Sequence, residues 1–171
     1  TTPVNLRVKA ADLIAGSVDL GQTGQLDLTL AGTLGRESRI NGAIVAASLT
    51  KSGIGQLSLF GDNVGLGAIT FRNGTLVVAP TGNLGNGLLT LGDSNGNGET
   101  ILRAPQDIEI SQPITLAGNS RIEAEGLLTL SGAINGNHGL TVYGKSDITL
   151  NAAIGVSSPL ATFKSYSAKT L

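Results

Sequence analysis

Cysteine, methionine and tryptophan are all missing from this chain of 171 residues. Without cysteine there is no disulfide framework, no thiolate metal site and no cysteine nucleophile. Such a chain also suits passage through an oxidising compartment in the unfolded state. Aromatic residues make up only 3% and charged residues only 13%, against about 25% charged in an average soluble domain. The core must therefore be built from Leu, Ile, Val and Ala. The 11 Lys and Arg form no basic run and the formal net charge is −1. A nucleic-acid partner is not expected, because a phosphate footprint needs clustered cations. No apolar run approaches the roughly 20 residues that a membrane helix needs. The one histidine, His138, lies in the turn "NGNHG", where neither a zinc site nor a His-based triad has convincing partners.

What the chain does have is glycine, 25 residues of it, set between short alternations of apolar and polar residues. "IEISQPI" (Ile108 to Ile114), "LTLSGAI" (Leu128 to Ile134) and "ITLNAAI" (Ile148 to Ile154) align without gaps, at a step of about 20 residues that falls in the solenoid range. Ile108, Leu128 and Ile148 correspond, as do Ile110, Leu130 and Leu150, and Ile114, Ile134 and Ile154. Between the first two members of each set stands Glu109, Thr129 or Thr149, the period-two pattern of a strand with one buried face. The same step links Ile122 with Val142 and Thr162, and Leu140 with Leu160. A longer echo sets "INGAIVAASLTKSGIGQLSLFG" (Ile40 to Gly61) against "LSGAINGNHGLTVYGKSDITLNA" (Leu130 to Ala152), and "LTLAG" at Leu28 against "ITLAG" at Ile114. Helical periodicity is nearly absent; "VKAADLIAGS" from Val8 is the one short candidate.

These features predict an all-β chain, a right-handed parallel β-helix with rungs of about 20 residues, as a single segment over residues 1–171. One rung cannot bury its apolar side alone; stacked rungs can, with Leu over Leu at about 4.8 Å. An antiparallel sandwich or barrel is the alternative, since hairpins also recur at short spacing.

With those residues in view, the chain resembles the β-helical passenger regions of bacterial autotransporter and two-partner-secretion, filamentous-haemagglutinin-like, surface proteins. "SGAINGNHGLTVYGKSDITL" and "SLTKSGIGQLSLFGDNVGLGAITFRNGTLVV" look like their passenger-associated repeats, from about Leu28 onward. Thr50 and Lys51 match a Leu-Thr-Lys turn of that pattern; Val142 departs from it in the second copy. The resemblance implies a rigid stalk, secreted and displayed outside the outer membrane, with no catalytic residues to carry over. Without the barrel and secretion domains of such proteins, the chain reads as a piece of a longer repetitive one.

Several motifs invite chemistry. "GLTVYGKS" (Gly139 to Ser146) fits the phosphate-loop pattern, but a phosphate loop needs a helix N-terminus after it, and "SDITLNAAI" reads as a strand. No nucleotide is expected. "DSNGNGE" (Asp93 to Glu99) supplies Asp93, Asn95, Asn97 and Glu99 as oxygen donors of a weak calcium site, yet the twelfth position is Ala104 where a bidentate Glu belongs. An enlarged Asn-Gly turn is the plainer reading. The pairs Glu123 and Glu125, and Asp107 and Glu109, have glycosidase-like spacing, but they are expected on a wet outer face, with Ile122 and Ala124 pointing inward. Asn73 in "NGT" fits a glycosylation sequon, a weak signal of a surface turn.

The expectation is thus a non-catalytic structural or adhesive stalk segment with no catalytic, cofactor-binding or metal residues. The alternatives are a carbohydrate-active β-helix enzyme and a self-polymerising matrix filament. Expected partners are neighbouring rungs or copies end to end, and a host or bacterial surface glycan or protein. The stretch "ATFKSYSAKTL" continues the alternation to Leu171 with Phe163 and Tyr166 near an edge, which predicts head-to-tail association.

Overall fold

Period-two apolar patterning interrupted every few residues by Gly, Asn or Ser gives short strands with one apolar face, which packed hairpins could also bury. The chain instead winds, and each strand pairs in parallel with its equivalent one winding on. The computed structural model describes residues 3–32, 37–79, 82–95 and 98–167. It is an all-β parallel solenoid of about 8 turns, with no helix among the described residues. The first sheet has 8 strands and runs through Asn5–Ala10, Gln25–Leu30, Ile44–Ser52, Leu66–Phe71, Leu89–Leu91, Ile114–Leu116 and Ile134–Asn135, with Val18–Asp19 beside Ile44. The second, also of 8 strands, comprises Ile14–Ala15, Glu37–Ile40, Gln56–Leu59, Gly74–Val78, Thr100–Ala104, Ser120–Ala124, Gly139–Gly144 and Thr162–Ser167. A third sheet of 3 strands, Ile108–Ile110, Leu128–Leu130 and Ile148–Leu150, closes the later turns.

The register bears out the first repeat residue by residue. Ile108 lies beside Leu128 and Leu128 beside Ile148; Ile110, Leu130 and Leu150 follow. Ile114 pairs with Ile134, which bridges to Ile154. Inside, aliphatic columns run along the axis. One consists of Leu26, Leu49, Ile69, Leu89, Ile114 and Ile134. Another consists of Leu57, Leu76, Leu102, Ile122 and Val142. All of these are buried. At about 4.8 Å between strands, like sits on like, and each side chain is removed from water by the turns above and below.

Other sequence expectations are corrected. Val142 pairs with Ser165 and Leu140 with Phe163, not with Thr162 and Leu160. The chain between Ala152 and Thr162 takes a wider path through bends, so the step lengthens there. The longer echo is not a structural one: Leu49 stacks in the column of Ile134, whereas Leu140 belongs to the second sheet. The column likewise sets Ile114 in line with Leu26 rather than with Leu28. A Gly-Ala-Ile followed by Leu-Thr can be laid on either sheet, because a period of two fixes which face is buried but not which wall of the solenoid a strand joins. Val8 lies in the strand Asn5–Ala10 and not in a helix. Lys51 is not in a turn; it ends up inside the solenoid in strand Ile44–Ser52.

A polar seam accompanies the aliphatic columns. Asn63 is fully buried; its side chain accepts from Ile44 N at 2.9 Å and donates to Asn83 O at 2.8 Å. Asn83 Oδ1 in turn accepts from Asn63 N and Gly85 N, each at 3.0 Å. These amides satisfy backbone groups that leave the sheets at the corners, where an unpaired buried N–H would be destabilising.

Candidate functional site

On the outer face of the second sheet, stacking sorts the exposed residues into rows. Arg103, Glu123, Tyr143 and Tyr166 form one row, and Ile101, Arg121, Thr141 and Lys164 the next. Inward Ile122 and Ala124 leave Glu123 pointing outward, as the alternation predicts. Glu123 is not simply solvated, however. It meets Arg103 at 2.7 Å and Arg121 at 3.0 Å, and Arg121 also pairs with Glu99. Burial pushes the Glu123 carboxyl up, but hydrogen bonds and charge from Arg103 and Arg121 outweigh it and hold the carboxyl below its ordinary value. Its stabilising contribution is therefore complete above the unfolded value near 4.5 and is lost as pH falls through the lower folded value. Burial likewise opposes the Arg121 charge, and Glu123 and Glu99 more than compensate.

The row continues as an aromatic stack. The Arg121 guanidinium lies 5.4 Å from the Tyr143 ring centre, within cation–π range. Tyr143 stacks on Tyr166 with centres 5.0 Å apart and planes inclined by 13°. Both tyrosines are exposed, which concentrates the outward aromatic surface of a chain poor in aromatics on one wall. An open cleft of about 570 Å³ lies beside this column, lined among others by Asp93, Glu99, Arg121, His138, Tyr143 and Lys164. A second, of about 320 Å³, lies between Arg121, Glu123, Glu125, Tyr143, Lys145 and Tyr166. Glu123 and Glu99 are legible in the sequence as candidates, whereas Arg103, Arg121 and the pairing of Tyr143 with Tyr166 are not. Their only signal is the step of about 20 residues extended to outward positions, which carry no apolar mark.

The remaining candidates separate. Glu125 pairs with Lys145. Asp107 accepts from Leu127 N at 2.7 Å, and Glu109 from Ser131 Oγ at 2.7 Å, so both serve the next turn. In "GLTVYGKS", strand Gly139–Gly144 takes in both glycines, and Lys145 and Ser146 lie in a bend that leads to strand Ile148–Leu150. No N-terminus of a helix faces a phosphate there. His138 lines the larger cleft through its turn. Asn73 occupies the bend before Gly74 and is half-buried.

Of the calcium candidates, Asp93 Oδ1 accepts from Asn95 N at 3.1 Å, a local turn bond. Glu99 is committed to Arg121, Asn97 lies outside the described residues, and Ala104 is buried in strand Thr100–Ala104. No group of three or more carboxylates and histidines able to hold a metal occurs among the described residues. Melting temperatures in millimolar calcium and in chelator should therefore agree within error. A rise with calcium that Asp93→Ala abolishes would show a site after all, since a ligand of the native state must stabilise it.

No protein-family model matches the chain, and neither a curated protein nor a solved structure shows significant similarity to it.

Proposed function

We propose that this chain is a non-catalytic stalk segment of a bacterial cell-surface or secreted fibre, supplying length and stiffness and presenting one wall for adhesion. The observation that carries the reading is the unbroken stacking of about 8 turns on continuous aliphatic columns. Such a solenoid is rigid along its axis and sets equivalent outward positions of successive turns side by side in rows. The wall of Arg121, Glu123, Tyr143 and Tyr166 is the adhesive surface, and a surface glycan or protein of a host or neighbouring bacterium is its partner. The repeats that resemble autotransporter and two-partner-secretion passengers support placement outside the outer membrane.

A carbohydrate-active enzyme is the competing reading, favoured by two clefts that share Arg121 and Tyr143, one lined by Glu99 and the other by Glu123. Against it, a general acid of a glycosidase needs a raised carboxyl, whereas Glu123 is held low. The purified chain should bind a glycan or cell-surface panel while releasing no new reducing ends from it. Tyr143→Ala with Tyr166→Ala should weaken binding at least tenfold. Cleavage of any polysaccharide that Glu123→Gln stops would overturn the stalk reading, and binding untouched by the tyrosine changes would move the adhesive surface elsewhere.

A further inference from the structure

The outer wall gives no account of Lys51. Its strand position is inward: Lys51 sits in the column between Leu28 and Phe71, fully buried at 0% exposure. Nζ donates to Gly53 O at 2.6 Å and to Asn73 O at 2.8 Å. Those carbonyls belong to the bends that follow two successive turns, so one side chain joins both. The Phe71 ring centre lies 5.1 Å from Nζ. Room for the nitrogen depends on Gly74, whose φ is +87°; a Cβ there would stand 2.7 Å from Nζ and 2.7 Å from both Gly53 O and Gly55 O. A residue other than glycine would thus be strained by its backbone and would fill the space the amine uses.

Among the described residues, no carboxylate answers this nitrogen. Asp27, on the strand beside Lys51, bonds Arg7 on the outer face at 3.2 Å. Glu99, whose backbone carbonyl accepts from Gly74 N, sends its carboxylate to Arg121. Arg72, next to Phe71, is exposed. Two acceptors match the two N–H groups of a neutral amine; an ammonium brings a third donor that has only the ring. Burial without a counter-ion penalises the charged form.

We propose that Lys51 is a protonation-controlled latch between two successive turns, closed on the neutral amine and loosened when the ammonium forms. Consistent with this geometry, burial lowers the lysine from its ordinary 10.5 to about 8. The folded value lies below the unfolded one, so the unfolded or opened state binds more protons. Stability then rises as pH climbs from about 8 toward 10.5, and below that window the penalty is fully present. Acid therefore favours opening of the bends at Gly53 and Asn73, and mild alkali closes them.

The test is urea unfolding of the whole chain at pH 7 and pH 9, with Lys51→Met as the uncharged comparison of similar length. From pH 7 to pH 9 the unfolding constant of the wild type should fall about tenfold more than that of Lys51→Met, for a lysine shifted by this much. An independent reading, needed if Lys51→Met does not fold, is the NMR titration of the Lys51 Cε and Nζ signals in the wild type. A midpoint near 8 supports the latch. A midpoint at the ordinary lysine value, or equal pH dependence in both proteins, overturns it.

Discussion

Leu76→Ala is expected to lower the unfolding free energy by about 2–5 kcal/mol, the range for removing a buried leucine whose cavity cannot collapse. Leu76 is fully buried between Leu57 and Leu102 in the second sheet's column. Its loss leaves a gap between two turns that are held in register by their own backbone bonds, so the neighbours cannot close over it. In a linear stack the change also weakens both nearest-neighbour interfaces, since each turn contacts only the ones beside it. Leu127→Ala is the control: Leu127 is 42% exposed at a corner, and its removal should change stability by no more than about 0.5 kcal/mol. Urea unfolding followed by circular dichroism measures both. Equal effects at the two positions would mean that the column is not what holds the turns together.

Gly132→Ala should destabilise by about 1–3 kcal/mol, the ordinary cost of forcing an extra carbon into a packed site. A Cβ at Gly132 would overlap the carbonyl group of Gln112 in the preceding turn and come within 2.7 Å of Ser111 O. These are backbone atoms, which cannot swing aside as a side-chain tip can. The requirement is steric; Gly132 is not among the positive-φ glycines. Gly16 provides the contrast, since a Cβ there would meet nothing within 4 Å. Gly16→Ala should be neutral or stabilise by up to about 1 kcal/mol, through the unfolded chain's lost freedom. A thermal melt of each variant separates them. A Gly132→Ala protein as stable as the wild type would show that the corner backbones can part.

Much of the later part of the chain could be read in advance because its turns there are nearly equal in length. From Ile108 to Ile154 the step of about 20 residues carries strand, turn and inward column together, and the register follows it. Elsewhere the chain adds residues at corners. Leu89 pairs with Ile114 across the stretch containing Asp93 and Glu99, and Leu26 with Leu49 across another long connection. A corner can take extra residues without disturbing the columns, since it lies outside the ladder bonds. A fixed ruler laid on the sequence therefore loses its place there, and it misplaced Thr162 and Leu160 for that reason.

By itself, the sequence determined that this chain is all β, that it is built of short strands on a step of about 20 residues, and that aliphatic residues such as Ile110, Leu130 and Ile134 face inward. Composition and period suffice for that, because burying alternate residues of short strands leaves few other arrangements. Tertiary structure alone decided which wall each strand joins and what meets on the outside. Arg103, Glu123, Arg121 and Glu99 come together, and Tyr143 meets Tyr166, only because several windings bring residues distant in the chain to adjacent strands. It also decided the fate of Lys51. The lysine of "LTKSG" reads as part of a turn; its burial follows from strand parity, which puts it in line with Leu28 and Phe71, and from two bends whose carbonyls converge on it.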